Sequence, residues 1–182
     1  MRLIKMFLFV LVGMFAVLTL IGLVIPSNVK ISRGIIINAD SAKVQLALSD
    51  VKDWNQWLPW ITNDSGAIVQ FSAVTNQPGS FIKWQGLLHN SAGTITLKEI
   101  NPDMITALYQ FKGMNDAEGG FRTRPVGTGN NTTEVLWFMD YKLKWYPWEK
   151  FYGIFMDHII GPAFEKGLQN FKEKIESNEL SG

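Results

Sequence analysis

Hydrophobic and polar positions follow three different rhythms along this chain, and each rhythm predicts a different kind of element. From residue 6 to residue 25 there is no alternation: MFLFVLVGMFAVLTLIGLVI is twenty residues without a charge. At about 1.5 Å per residue, a helix of that length measures about 30 Å, the thickness of a bilayer's hydrocarbon core. Fourteen of the twenty are Leu, Ile, Val or Phe, and at roughly −0.4 kcal/mol each they favour insertion by up to about 6 kcal/mol. The rhythm then changes to period two. Val29, Ile31, Arg33, Ile35 and Ile37 share one face against Lys30, Ser32, Gly34 and Ile36 on the other, which predicts a strand.

Asn38-Ala39-Asp40-Ser41 supplies capping side chains for a helix from Ala42 to Leu48, and a second short helical turn is expected from Asp53 to Leu58, ended by Pro59. Six strands fit between Ala67 and Leu143. They are separated by Asn76-Gln77-Pro78-Gly79, His89-Asn90-Ser91, Asn101-Pro102-Asp103, Gly113-Met114-Asn115-Asp116 and Gly127-Thr128-Gly129-Asn130-Asn131. Breaks this short favour antiparallel pairing, because a parallel crossover needs a dozen or more residues. Alternation makes inward sets of Ile82 and Trp84, of Ile105, Ala107, Tyr109 and Phe111, and of Val135, Trp137, Met139, Tyr141 and Leu143.

The last rhythm is helical. Phe151, Phe155, Ile159, Phe164, Leu168, Phe171 and Ile175 recur at spacings of three to five, opposite Glu165, Lys166, Gln169, Lys172, Glu173 and Lys174. This predicts a long amphipathic helix covering the sheet, with a kink near His158 to Gly161 because Pro162 removes an amide donor.

The apolar run near the start has two readings. A cleaved secretory signal also has basic residues, here Arg2 and Lys5, before an apolar core; but that core is usually about 7–15 residues long and ends in a small-x-small site, which Leu23-Val24-Ile25-Pro26 does not supply. A retained anchor over residues 1–27 is therefore expected. The early cations place residues 28–182 on the outer, periplasmic face of a single-pass inner-membrane protein, although Lys30 and Arg33 compete from the exit side. Those 155 residues are one ordinary domain.

Charge and composition mostly remove function classes. Seventeen basic and sixteen acidic residues are spread without a basic block, so no nucleic-acid partner is expected. The chain has no cysteine, which excludes disulfides, thiolate metal sites and cysteine nucleophiles. No metal or other cofactor is expected, since no H-E-x-x-H or calcium-loop pattern occurs. The glycine-containing stretch 127–131 lacks the phosphate-loop lysine and sits between strands, which makes it a hairpin turn. His89 and His158 are the two histidines; His89 falls in a turn, and Asp157 and His158, being adjacent, point to different sides of a helix and make no ready dyad. Seven Trp and twelve Phe remain as the unusual feature. Such rings fill cores and line pockets alike.

The segments IIINADSAKVQLALSDVKDWNQWLPW, GSFIKWQG, TRPVGTGNNTTEVLWFM and FMDHIIGPAFEKGLQNFKEKI resemble the polyketide cyclase/dehydrase and lipid-transport family of the START-like (SRPBCC) superfamily. The carrying signals are Trp54-x-x-Trp57-x-Pro59-Trp60 together with Gly161-Pro162-x-Phe164-Glu165-x-Gly167-Leu168, over about residues 28–176. The resemblance implies an α+β helix-grip fold: a curved seven-stranded antiparallel sheet around the long C-terminal helix, with two short helices after the first strand and a deep apolar cavity between sheet and helix. Asp40 departs from the proline that related sequences often carry there, at little cost because Asp caps well.

The cavity implied by the resemblance is expected to be lined by Trp57, Trp60, Trp84, Tyr109, Trp137, Met139, Tyr141, Phe155, His158 and Ile159. The expected role is binding of a lipid or other hydrophobic small molecule, for transport or sensing, without catalytic residues. Two alternatives stay open: a cyclase- or dehydratase-like enzyme relying on Tyr109, Tyr141 or His158, and a protein-interaction or stress-sensing domain.

Overall fold

Turns of a few residues make neighbouring strands pair antiparallel, and that rule governs the computed structural model, which describes residues 2–87, 91–127 and 131–177. The order is helix α1 (Arg2–Val24), strand β1 (Asn28–Ile37), helix α2 (Ser41–Ser49), a 3₁₀ segment (Val51–Gln56), helix α3 (Pro59–Thr62), strands β2 (Ile68–Phe71), β3 (Phe81–Gln85), β4 (Ala92–Ile100), β5 (Met104–Phe111), β6 (Ala117–Pro125) and β7 (Thr133–Lys142), and helix α4 (Pro147–Ser177). The strands form one antiparallel sheet in the order β1-β7-β6-β5-β4-β3-β2. A register shift between Leu97 and Glu99 bends it further.

Period-two alternation appears in the sheet as read from the sequence. Val135, Trp137, Met139, Tyr141 and Leu143 are buried on one face, as are Ile105, Ala107 and Tyr109 on β5 and Ile82 and Trp84 on β3. The helix that covers this face comes close to its neighbours at two glycines in its middle. A Cβ on Gly167 would come 2.7 Å from a Trp137 ring carbon and 3.0 Å from Pro59 Cδ. At Gly161 the missing side chain leaves room for the Arg33 guanidinium, which crosses α4 to meet Asp157 through two hydrogen bonds of 2.9 Å and Glu165 through one of 2.6 Å.

Local chemistry explains the helix starts. Asp40 accepts the Ala42 amide at 2.8 Å and caps α2, and Asp50 accepts the Lys52 amide at 2.9 Å to start the 3₁₀ segment. Three helical pieces follow β1 instead of two. Pro59, expected to stop a turn, opens α3 instead, since its fixed φ suits the first helical position and its missing N–H is one that a helix start leaves unpaired anyway. Around Pro162 the chain stays helical from Pro147 to Ser177. His89 and the centre of the 127–131 turn lie outside the described residues.

The apolar stripe on α4 needs a correction. The residues that meet the sheet in its first half are Gly153, Met156 and Ile160, whereas Phe155 and Ile159 are 60% and 52% exposed. The step from Ile159 to Phe164 is five residues, which turns a 3.6-residue helix by about 140°. In an uninterrupted helix, one stripe cannot hold both halves.

Candidate functional site

Five tryptophans and four phenylalanines build the interior, ring against ring, with Trp54 packed on Trp57 at 5.8 Å and on Phe121 at 5.4 Å. Trp137 stacks on Phe164 with centroids 4.1 Å apart and planes 9° from parallel, and Trp57 meets Trp137 edge-on at 5.6 Å and Phe171 at 5.2 Å. Trp60 lies flat against Trp84 at 6.0 Å and edge-on to Trp137 at 5.7 Å. Phe121 and Phe111 close the remaining sides. Tyr109 is fully buried, and its hydroxyl accepts the Trp137 indole N–H at 3.0 Å. Burial raises the Tyr109 pKa far above the ordinary phenol value, so this hydroxyl stays neutral.

Five of the ten expected lining residues, Trp57, Trp60, Trp84, Tyr109 and Trp137, thus spend their faces on one another. Met139 is buried beside them. Phe155, His158 and Ile159 are exposed on α4, off the line of that helix that meets the sheet. The physical reason is the phase of the helix: these three fall on the turn of α4 that the five-residue step rotates away from the core.

Tyr141 is the one expected residue that reaches a recess between sheet and helix. This recess, of about 380 Å³, opens where the β5–β6 turn, the end of β7 and the first turns of α4 converge. Met114, Leu143, Trp148 and Tyr152 supply apolar walls. The polar side is a connected network. The Tyr141 hydroxyl accepts the Asn115 amide at 2.8 Å, the Asn115 side chain donates to both Glu149 oxygens at 3.2 and 3.3 Å, and Glu149 also accepts the Lys144 amide. Glu149 sits in the first turn of α4, where the helix dipole favours a carboxylate. Burial raises the Tyr141 pKa, so the phenol is neutral at physiological pH, and an oxygen that accepts one hydrogen bond keeps its own O–H to donate.

The sequence carried part of the signal for these residues. Trp148 belongs to the Trp145-Tyr146-Pro147-Trp148 cluster at an element boundary, and Met114 and Asn115 belong to a turn between strands. Only the fold brings that turn to the start of α4.

A broader depression of about 530 Å³ lies on the opposite, convex face of the sheet, bordered by Lys30, Asp116, Glu118, Asp140 and Lys142 with Leu108 as its aliphatic member. Five of its eight lining residues are charged, and Asn28, Leu108 and Tyr141 complete it. Among the described residues no three His, Asp or Glu side chains converge to hold a metal ion. Asp157 is committed to Arg33, and this hydrogen-bonded cation holds its carboxyl below the usual carboxylate range.

Comparison with known proteins places this arrangement. The structure matches norcoclaurine synthase from Thalictrum flavum, solved in complex with dopamine and hydroxybenzaldehyde, with a TM-score of 0.60 at 7% identity over 82% of this chain and 87% of that one. A protein from Chromobacterium violaceum matches with a TM-score of 0.57 at 14% identity over 83% of this chain and 99% of its own. Ara h 8.0201 matches with a TM-score of 0.55 at 8% identity, over 82% and 99%. At such identities these likenesses establish the helix-grip fold. No curated protein matches in sequence. The family model for polyketide cyclase / dehydrase and lipid transport covers residues 28–176, and the chain belongs to that family.

Proposed function

We propose that this protein is a membrane-anchored module that binds one small, uncharged, largely apolar molecule in the recess formed by Met114, Tyr141, Leu143, Trp148 and Tyr152. The observation that carries this reading is the meeting of apolar walls and one donor-ready hydroxyl at a single opening. Its volume of about 380 Å³ lies near the lower end of the roughly 300–1,000 Å³ typical of small-molecule sites. That suits a ring system or the end of one acyl chain, not a whole two-chain lipid. Glu149 at the rim disfavours an anionic guest, and the Tyr141 O–H favours one with a carbonyl, ester or hydroxyl oxygen.

Membership of the family supports binding of this kind, as does the structural likeness to a protein solved with two small aromatic molecules bound. The anchor reading is supported by α1, a 23-residue apolar helix in which Gly22 is the one buried residue. Arg2 and Lys5 favour a cytoplasmic amino terminus and an outer-face domain. Binding without turnover is preferred to catalysis because, of the three groups with acid-base potential, Tyr109 is sealed in the core and His158 faces outward.

The test uses the full-length protein in lipid nanodiscs with two photoactivatable probes of equal length, a monoacylglycerol and a plain alkane. Adducts are expected at residues 113–115 and 141–152 for both. Tyr141→Phe should weaken only the monoacylglycerol, by the about 0.5–1.5 kcal/mol of one neutral hydrogen bond. Labelling that is absent from those two segments, or that excess unlabelled lipid does not compete, refutes the reading.

A further inference from the structure

The first half of α4 exposes more apolar surface than a water-facing helix does. Trp148, Tyr152, Phe155 and Ile159 are 62%, 42%, 60% and 52% exposed. At 100° per residue they fall within about 60° of one another, one continuous stripe along a flank of α4, about a quarter-turn from the line of Gly153, Met156 and Ile160 that meets the sheet. Trp145, 62% exposed, extends the stripe just before the helix begins.

This stripe does not stand alone, for the same stretch of α4 is joined to α1. The backbone of Gly22 lies against Pro147, where a Cβ on the glycine would be 3.5 Å from the proline Cα. Lys150 is buried, and its ammonium donates to the Ile25 carbonyl at 2.9 Å and to the Ser27 hydroxyl at 2.5 Å. A cation there satisfies a carbonyl just past the last turn of α1 and complements the negative end of that helix. The end of α1 is therefore fixed against the first turns of α4, on the flank of that helix opposite the stripe, so the stripe begins at the level where α1 ends.

We propose that the stripe Trp148, Tyr152, Phe155 and Ile159 is seated in the headgroup region of the same bilayer that α1 spans, which holds the mouth of the recess at the lipid surface. This rests on the reading of α1 as a retained span. The chemistry fits the level at which the junction would sit. Tryptophan and tyrosine concentrate at membrane interfaces because they pair an apolar body with a polar tip, and a helix lying in the interface buries its apolar face to about 5–10 Å. Lys144, whose ammonium lies over the Tyr146 ring, stands beside the Trp145 end, where a cation suits lipid phosphates, and the stripe stops before Lys166, which bonds Asn63. Trp148 and Tyr152 belong both to the stripe and to the recess wall. A guest would pass between bilayer and recess without crossing water.

The natural chain lacks cysteine, so single nitroxide labels can be placed cleanly through Phe155→Cys, Ile159→Cys, Val24→Cys and Glu173→Cys in the full-length protein, reconstituted in phosphatidylcholine/phosphatidylglycerol vesicles. Glu173 lies eighteen residues after Phe155, five whole turns, on the same side of α4. Collisions with oxygen, which partitions into lipid, are compared with those of a water-soluble nickel chelate. The expected result is a several-fold higher oxygen-to-nickel ratio at 155 and 159 than at 173, approaching the ratio at 24. Ratios at 155 and 159 equal to that at 173, with 24 still lipid-like, overturn the proposal and leave the anchor standing. A water-like ratio at 24, or an intact mass lacking α1, overturns the anchor reading and this proposal with it. Labels at 155 and 159 shielded from both reagents, with spin-spin broadening between copies, assign the stripe to a second copy of the chain and refute the lipid assignment.

Discussion

The two halves of α4 share one uninterrupted helix and have opposite outer faces. After Pro162 the outward side carries Glu165, Lys166, Gln169 and Glu173, while Phe164, Leu168, Phe171 and Ile175 meet the core. Before it, the outward side carries Trp148, Tyr152, Phe155 and Ile159, and the core side is met by Gly153, Met156 and Ile160. The first half has its large side chains outside and small or slender ones inside. The first half is thus apolar on two sides, the second on one.

The sharpest way to break this comparison is to shave one large ring from each half. Phe164→Ala removes a fully buried ring stacked on Trp137 and should lower stability by about 3–5 kcal/mol. Phe155→Ala, on the outer face, should change it by no more than about 0.5 kcal/mol. Urea unfolding in one detergent, followed by tryptophan fluorescence, reads both; equal losses would mean that the two faces do not differ.

A smaller effect is expected from adding volume where the second half touches the sheet. Gly167→Ala puts a methyl 2.7 Å from Trp137 and 3.0 Å from Pro59, an overpacking that should cost about 1–3 kcal/mol in the same assay. No loss would show that α4 is free to ride away from the sheet at that point.

The smallest effect concerns the Arg33 clasp at the boundary between the halves. Its partners are largely open to solvent, at 47% for Asp157 and 61% for Glu165, so solvent screening limits each pair to at most about 1 kcal/mol. The Asp157 pKa is lowered in the folded protein, chiefly by the Arg33 hydrogen bonds. Its contribution is therefore present above the ordinary carboxylate pKa of about 4 and disappears as pH falls through the lower folded value. Arg33→Met should flatten that acid-side decline in a pH series of unfolding midpoints. An unchanged decline would remove the clasp from the account.

What was legible in the sequence follows the length scale of each signal. Strand faces could be read because period two needs only neighbours, and Trp84, Tyr109 and Trp137 are buried on the side that alternation assigned. The start of α2 was legible because Asp40 acts within two residues. The site was much less so. Whether Trp57, Trp60 and Trp137 line a space or fill it depends on ring-to-ring distances that no pattern encodes. Phe155 and Ile159 mimic core positions, because hydrophobicity alone does not say which way a residue faces. The recess is not legible in the sequence because Met114, Tyr141 and Trp148 are separated along the chain and converge only when the β5–β6 turn folds against the start of α4.

The Lys150 clasp on the Ile25 carbonyl has a mechanical consequence. Only residues 25–27 separate α1 from β1, at most about 10 Å of extended chain, and the clasp takes up even that slack. With α1 in a bilayer, the domain has no leash on which to swing toward an opposing membrane. On that reading, any guest it bound would have to be exchanged on the spot, with the leaflet beneath it or with a visitor that comes alongside.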